Sequence, residues 1–201
     1  LEHNFLLIYD EVQTGIGITG KMWAHQHFCE TNCNLECMSH CKSMEPDIIS
    51  FGKKTQCCGI FAGKRLDEID DHVFKESSRI NSTFGGNLVD MVRFTIYLEI
   101  MESENLVDLV SENGSYLLSS LDSLQNEESK VVSNVRGKGL FCAFDLPSSE
   151  LRNKLIAKVE EEGALILGCG HRSIRFRPHL NISKNEIDRA MVMIKSAMSK
   201  I

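Results

Sequence analysis

Two adjacent lysines, Lys53 and Lys54, sit between the apolar runs "IISFG" and "CCGIFAG". An ammonium group usually occupies a solvated turn, but an amine set between apolar strands is also a nucleophile for carbonyl carbons. Taken alone, the pair is either a charged turn or the place of a reagent amine. Asp10 closes the run "FLLIYD". The carboxyl ends of strands face the ligand crevice of α/β sheets, although aspartate at a strand end equally suits a turn. In "SIRFRP", Arg175 and Arg177 share one strand face and Phe176 takes the other. They are surface ion-pair partners, or one of them is a planar fork for a carboxylate. Gly15 to Gly20, "GIGITG", satisfies the dinucleotide-binding pattern. However, "DEVQT" separates it from its strand, and the bulky "KMWAHQHF" follows where a helix of small residues is required, so we read a chance match. Cys29, Cys33, Cys37 and Cys41 recur at every fourth position, with His25, His27 and His40 nearby. On one helix they form a drifting stripe that cannot wrap a metal, and the usual C-x₂-C knuckle is missing. Residues 29–45 are therefore read as a surface insertion and no metal is assigned; a metal-binding or partner-binding segment is the rival reading.

These groups need a frame. "FLLIYDEV" has the composition of a strand buried on both faces of a parallel sheet, and "DIISF" and "CGIFAG" are further short strands. "GGNLVDMVRFTIYLEIMES" and "NLVDLVSENGSYLLSSLDSLQ" have helical apolar spacing, with Asn87 and Asn105 as expected caps. Strand-like "VVSNVRGKGLFCAFDLP", "ALILGCG" and "SIRFRPHL" then alternate with the amphipathic helices "SSELRNKLIAKVEEEG" and "SKNEIDRAMVMIKSAMSK". We expect an α/β chain with two domains: residues 1–105 as part of a large mixed-sheet domain, and 106–201 as a small α+β domain. The first residues, "LEHNFLLIYDEV", enter a strand at once, as the C-terminal part of a longer protein would.

Composition narrows the function classes. The 201 residues carry a formal net charge of −6, which argues against a non-specific nucleic-acid binder. No run approaches the roughly 18 apolar residues of a membrane span. Cys57, Cys58, Cys142 and Cys169 lie in apolar contexts, as buried reduced thiols do. We expect a cytoplasmic protein, with the mitochondrion left open because an N-terminal address would precede Leu1.

A strand-end aspartate, a lysine after a second strand, the triplet "NST" and a late "RFRP" occur here in one order. In this, and in "LLIYDEVQTGIGITGKMWAHQHF", "PDIISFGKKTQCCGIFAGKR", "SRINSTFGGNLVDMVR" and "VRGKGLFCAFDLP", the chain resembles the C-terminal half of class-III aminotransferases. "FGKKTQ" and "NSTFGGNLVDMVR" look most like the lysine 6-aminotransferases; "GKMWAHQHF", "RNKLI" and "GCGHRSIRFRP" are also similar to 4-aminobutyrate aminotransferases. The resemblance implies fold type I of the pyridoxal-phosphate-dependent transferases, with pyridoxal phosphate as cofactor. It implies that a terminal amino group passes from L-lysine to 2-oxoglutarate in lysine catabolism, with 4-aminobutyrate as the alternative donor. It assigns Lys53, directly after "FG", as the lysine that bonds the cofactor and moves the proton, a role that partial burial would favour. Asp10 would hold the protonated ring nitrogen; at about 3 Å and an effective dielectric near 20, that pair is worth roughly 5 kcal/mol before desolvation. Gln13 would lie near the ring's phenolic oxygen, and Thr83 would bind the phosphate of the partner subunit's cofactor in a homodimer. Arg175 would grip the substrate carboxylate, with Arg177 the less suitable choice. The family carries further site residues in an N-terminal half that this chain does not include, so the site is expected to be incomplete in the chain by itself.

Overall fold

The computed structural model describes residues 5–28, 45–80 and 83–201. The chain forms two compact units. One comprises Leu1–Ile16 and Met22–Glu104, and the other Gly17–Lys21 and Asn105–Ile201. Residues 29–44, which hold the four-cysteine stretch, lie outside the described residues.

The first unit holds a three-stranded sheet in the order β1 (Ile8–Asp10), β2 (Ile48–Phe51), β3 (Gly59–Ala62). β1 and β2 are parallel, and Asp10 stands opposite Ser50; β2 and β3 are antiparallel. β1 is not buried on both faces: it is an edge strand, and Ile8 is 59% exposed. The interior of this unit is largely aromatic. Phe51 stacks between Phe61 (4.7 Å between centroids) and Phe94 (5.2 Å), and Trp23 meets Phe51 and Phe61 edge-on. Gly15 admits that indole, since a Cβ there would lie 2.9 Å from the Trp23 ring. Asp47, buried at the start of β2, accepts hydrogen bonds from the Leu7 amide (2.7 Å) and from Arg65 (2.9 Å). These contacts fix the entry to β2 and, through it, the position of β1.

Helix α1 (Leu88–Ser103) starts where Asn87 accepts a hydrogen bond from the Val89 amide, as expected of a cap. Apolar residues lie on several of its faces, and Leu88, Val89, Val92 and Ile96 are exposed. Asn105 does not cap its helix: it adopts a left-handed conformation, φ 50°, and its side chain makes no capping hydrogen bond. Of the four cysteines expected to be buried, Cys57 and Cys142 are; Cys169 is half-buried and Cys58 is exposed.

In the second unit, β4 (Ser133–Lys138), β5 (Phe141–Asp145), β6 (Leu167–Cys169) and β7 (Ser173–Phe176) form an antiparallel sheet in the order β4-β5-β7-β6. Helices α2 (Leu106–Glu127), α3 (Ser149–Glu161) and α4 (Lys184–Met198) supply the other wall of its core. α2 contributes Val110, Leu117, Leu121 and Leu124, and α4 contributes Ile187, Met191, Ile194 and Met198, both at the spacing of one helical face. Cys142, Phe144, Ile174 and Phe176 meet them from the sheet. Ser148 caps α3 through the Leu151 amide, and α4 begins with a capping box between Ser183 and Glu186.

The glycine-rich "GIGITG" serves packing. Ile18 is fully buried in the core of the second unit, and the Leu140 amide donates to its carbonyl at 3.0 Å. Gly139 makes this approach possible: its φ is +54°, and a Cβ there would lie 2.4 Å from the carbonyl carbon of Thr19.

Candidate active site

Asp10 and Lys53 stand at the carboxyl ends of the adjacent parallel strands β1 and β2, where α/β sheets hold their ligands. The parallel register accounts for this: with Asp10 opposite Ser50, the chain needs only Phe51 and Gly52 before Lys53 emerges beside the aspartate. Lys53 begins a 3-10 turn, Lys53–Thr55, at φ +51°. A lysine rarely adopts the left-handed region, which costs about 1–2 kcal/mol per residue, and such strain collects at functional sites. The turn is held by the Lys54 amide donating to the Gly52 carbonyl and by the buried Thr55 hydroxyl donating to the Cys57 carbonyl at 2.8 Å. Gly52 is buried against Cys58, whose Sγ would lie 2.7 Å from a Cβ at that position.

The expected partial burial of Lys53 is not met in this chain, where its side chain is exposed and Lys54 is the half-buried one. The reason is geometric: Lys53 heads the turn just beyond the strand, outside the aromatic packing that covers Phe51.

Asp10 is prepared to meet a cation. Its Oδ1 accepts hydrogen bonds from the Val12 amide (3.1 Å) and the Ser50 hydroxyl (2.9 Å). The Val12 bond, then the Ser50 bond, hold the carboxyl below the ordinary aspartate range, and the Lys53 charge adds to them. The next residue, Glu11, is buried and accepts from the Ala24 amide (2.7 Å), the His25 amide (2.8 Å) and the Thr14 hydroxyl (3.2 Å), and pairs with His25 Nδ1 at 2.9 Å. Tyr9 stacks on His25 with centroids 5.3 Å apart. This network ties the segment after β1 back to the strand end. Gln13 lies half-buried in the turn that follows β1.

The other expected site residues stand elsewhere. Thr83 is exposed in the turn preceding α1, while Asn81 and Ser82 of the same triplet lie outside the described residues. Arg175 belongs to the second unit, on β7 opposite Ala143, with Ile174 and Phe176 turned into the core. Across the same sheet face, Arg136 donates to Asp145 (2.9 Å) and to the Ser173 hydroxyl (3.1 Å), and Ser173 donates to Asp145 at 2.6 Å. Among the described residues no group of three or more His, Cys, Asp or Glu side chains is arranged to hold a metal, and no helix is long and apolar enough to cross a membrane. Two residues that matter here carried weak sequence signals: Ser50 is the one hydroxyl within the apolar strand "IISF", and Glu11 is half of an unremarked "DE" pair.

Residues 1–198 match the family described as aminotransferase class-III. The L-lysine-epsilon aminotransferase of Mycobacterium tuberculosis is 44% identical over 197 residues, 98% of this chain and 41% of the relative. That of Streptomyces clavuligerus is 43% identical over 100% of this chain and 41% of the relative. The 4-aminobutyrate aminotransferase of Dictyostelium discoideum is 33% identical over 94% of this chain and 36% of the relative. Among solved structures, the lysine aminotransferase of M. tuberculosis in its internal aldimine form superposes with a TM-score of 0.87 at 44% identity, covering 99% of this chain and 42% of that one. An S-selective transaminase from Arthrobacter superposes with a TM-score of 0.82 at 28% identity, over 99% of this chain and 44% of that one. The chain thus spans 41% of the length of the lysine aminotransferases it matches and shares their pyridoxal-phosphate-dependent fold. It belongs to the class-III aminotransferase family.

Proposed function

We propose that this chain provides the lysine, the ring-holding carboxylate and the substrate arginine of a pyridoxal-phosphate aminotransferase. The enzyme moves the terminal amino group of L-lysine to 2-oxoglutarate, yielding 2-aminoadipate 6-semialdehyde and L-glutamate. The observation that carries this reading is the pairing of Asp10 and Lys53 at neighbouring parallel strand ends in a chain 44% identical to a lysine aminotransferase.

The donor set fits the cofactor. An anionic carboxylate with one oxygen that no hydrogen bond reaches among the described residues suits a protonated ring nitrogen, and an amine on the adjacent strand end suits an aldehyde. Pyridoxal phosphate, when bound, supplies that aldehyde and a ring that draws electrons from the carbon bearing the substrate amine. Asp10 Oδ2 would accept a hydrogen bond from the protonated ring nitrogen and keep it charged. Lys53 Nζ would be the nucleophile that holds the cofactor, and the same nitrogen would move the proton at the amine-bearing carbon of the substrate. Lys54 takes no part. Gln13 is assigned to the ring oxygen, and Thr83 to the phosphate in the site of a second subunit, which makes the enzyme a homodimer. Arg175 grips the carboxylate shared by lysine and 2-oxoglutarate through two parallel N–H donors.

A second donor, 4-aminobutyrate, is favoured by the 33% identity to an enzyme of that name. Borohydride reduction of the cofactor-loaded full-length protein, followed by peptide mapping, tests the reading. Label on Lys53 supports it, and label on any other lysine overturns it. Comparing kcat/KM for lysine and 4-aminobutyrate decides the donor, and a preference for 4-aminobutyrate replaces the first reading by the second.

A further inference from the structure

We propose that Ser50 is a positioning residue for Asp10: its hydroxyl, held opposite by the parallel register of β1 and β2, turns the carboxylate so that Oδ2 alone faces the incoming ring nitrogen. This inference rests on the cofactor-binding reading of Asp10. An aspartate at the end of an edge strand has little to fix its terminal torsion, which is broad and two-fold in the absence of partners. The Val12 amide, two residues on, supplies a local bond of the kind any aspartate turn makes. It fixes where Oδ1 lies but not the plane of the carboxylate. The Ser50 hydroxyl comes from 40 residues away and approaches the same oxygen at 2.9 Å. Two donors converging on Oδ1 define that plane, and among the described residues no hydrogen bond reaches Oδ2.

The arrangement accounts for the hydroxyl in β2. Ile48, Ile49 and Phe51 are all apolar, and Ser50 alone breaks the strand's preference for branched and aromatic side chains. Both donors also favour the charged form of Asp10, as a partner for a cationic ring requires. Hydrogen bonds to charged groups are the stronger kind, and at an exposed carboxylate the low end of their range applies.

The test compares wild type, Ser50→Ala, Ser50→Thr and Asp10→Ala in the full-length protein, by two readouts independent of turnover. One is the carboxyl titration of Asp10, followed by carbon NMR in the cofactor-free enzyme. The other is the dissociation constant of pyridoxal phosphate, by equilibrium titration. Ser50→Ala is expected to move the Asp10 titration upward and to weaken cofactor binding about 10-fold, while Ser50→Thr, which keeps the hydroxyl, restores both. If Ser50→Ala leaves either readout at the wild-type value while Asp10→Ala weakens binding, the positioning role is refuted and the cofactor site stands. If Asp10→Ala does not weaken binding, the assignment of Asp10 fails and takes this inference with it.

Discussion

Removing the carboxylate at position 145 tests what holds the sheet of the second unit. Asp145 is 7% exposed and accepts hydrogen bonds from Ser173 (2.6 Å), Arg136 (2.9 Å) and Asn134 (2.9 Å). Burial alone would raise its carboxyl; the bonds from Ser173, Asn134 and Arg136, with the Arg136 charge, outweigh it and hold the group at about 2 against 3.8 in a free chain. At about 1.36 kcal/mol for each pH unit between those values, the carboxylate contributes about 2 kcal/mol. The Arg136 side chain is 44% exposed, so water screens its share and the figure is an upper one. Because the folded value is depressed, this contribution is complete above 3.8 and is lost as the pH falls through about 2. Asp145→Asn should therefore destabilise the protein by about 2 kcal/mol near pH 7 and by about half as much near pH 3. With a urea slope of about 1–2 kcal/mol/M, the unfolding midpoint followed by circular dichroism should drop by about 1–2 M near neutrality. Equal midpoints near pH 7, or a deficit as large near pH 3, would refute the reasoning.

Three other outcomes follow from the structure. Lys53→Ala should abolish transamination in the full-length enzyme while Lys54→Ala keeps most of it; equal loss in a coupled glutamate assay would contradict the choice of lysine. Arg175→Ala should raise KM for lysine and 2-oxoglutarate far more than for a simple amine paired with an aldehyde, and a uniform rise would remove its assigned role. Gly139→Ala should cost about 2–5 kcal/mol, from left-handed strain at φ +54° plus the clash with Thr19, read as a lowered melting temperature. An unchanged melting temperature would mean that the Gly17–Lys21 segment is not held as described.

Features built from near neighbours were legible in the sequence. The apolar faces of α2, α3 and α4 depend on residues three to seven apart, and periodicity reads them directly. The order of "YDEV", "FGKK", "NST" and "RFRP" identified the family because those motifs are short and local. Asn105 misled because asparagine suits a cap and a left-handed turn equally well, and the choice is made by the chain on both sides of it. What the tertiary structure alone decided involves partners far apart along the chain. Ser50 meets Asp10 across 40 positions only because β1 and β2 run parallel in one register. "GIGITG" becomes a packing segment only once Leu140 and Gly139 are brought against it. The buried Asp145 finds donors on β4 and β7 by strand pairing. A one-residue slip in either of the strand pairings would turn each of its side chains to the opposite face, and residue type does not report register. That is why the resemblance of short local motifs reached the family, while the alignment of each acceptor with its donor awaited the fold.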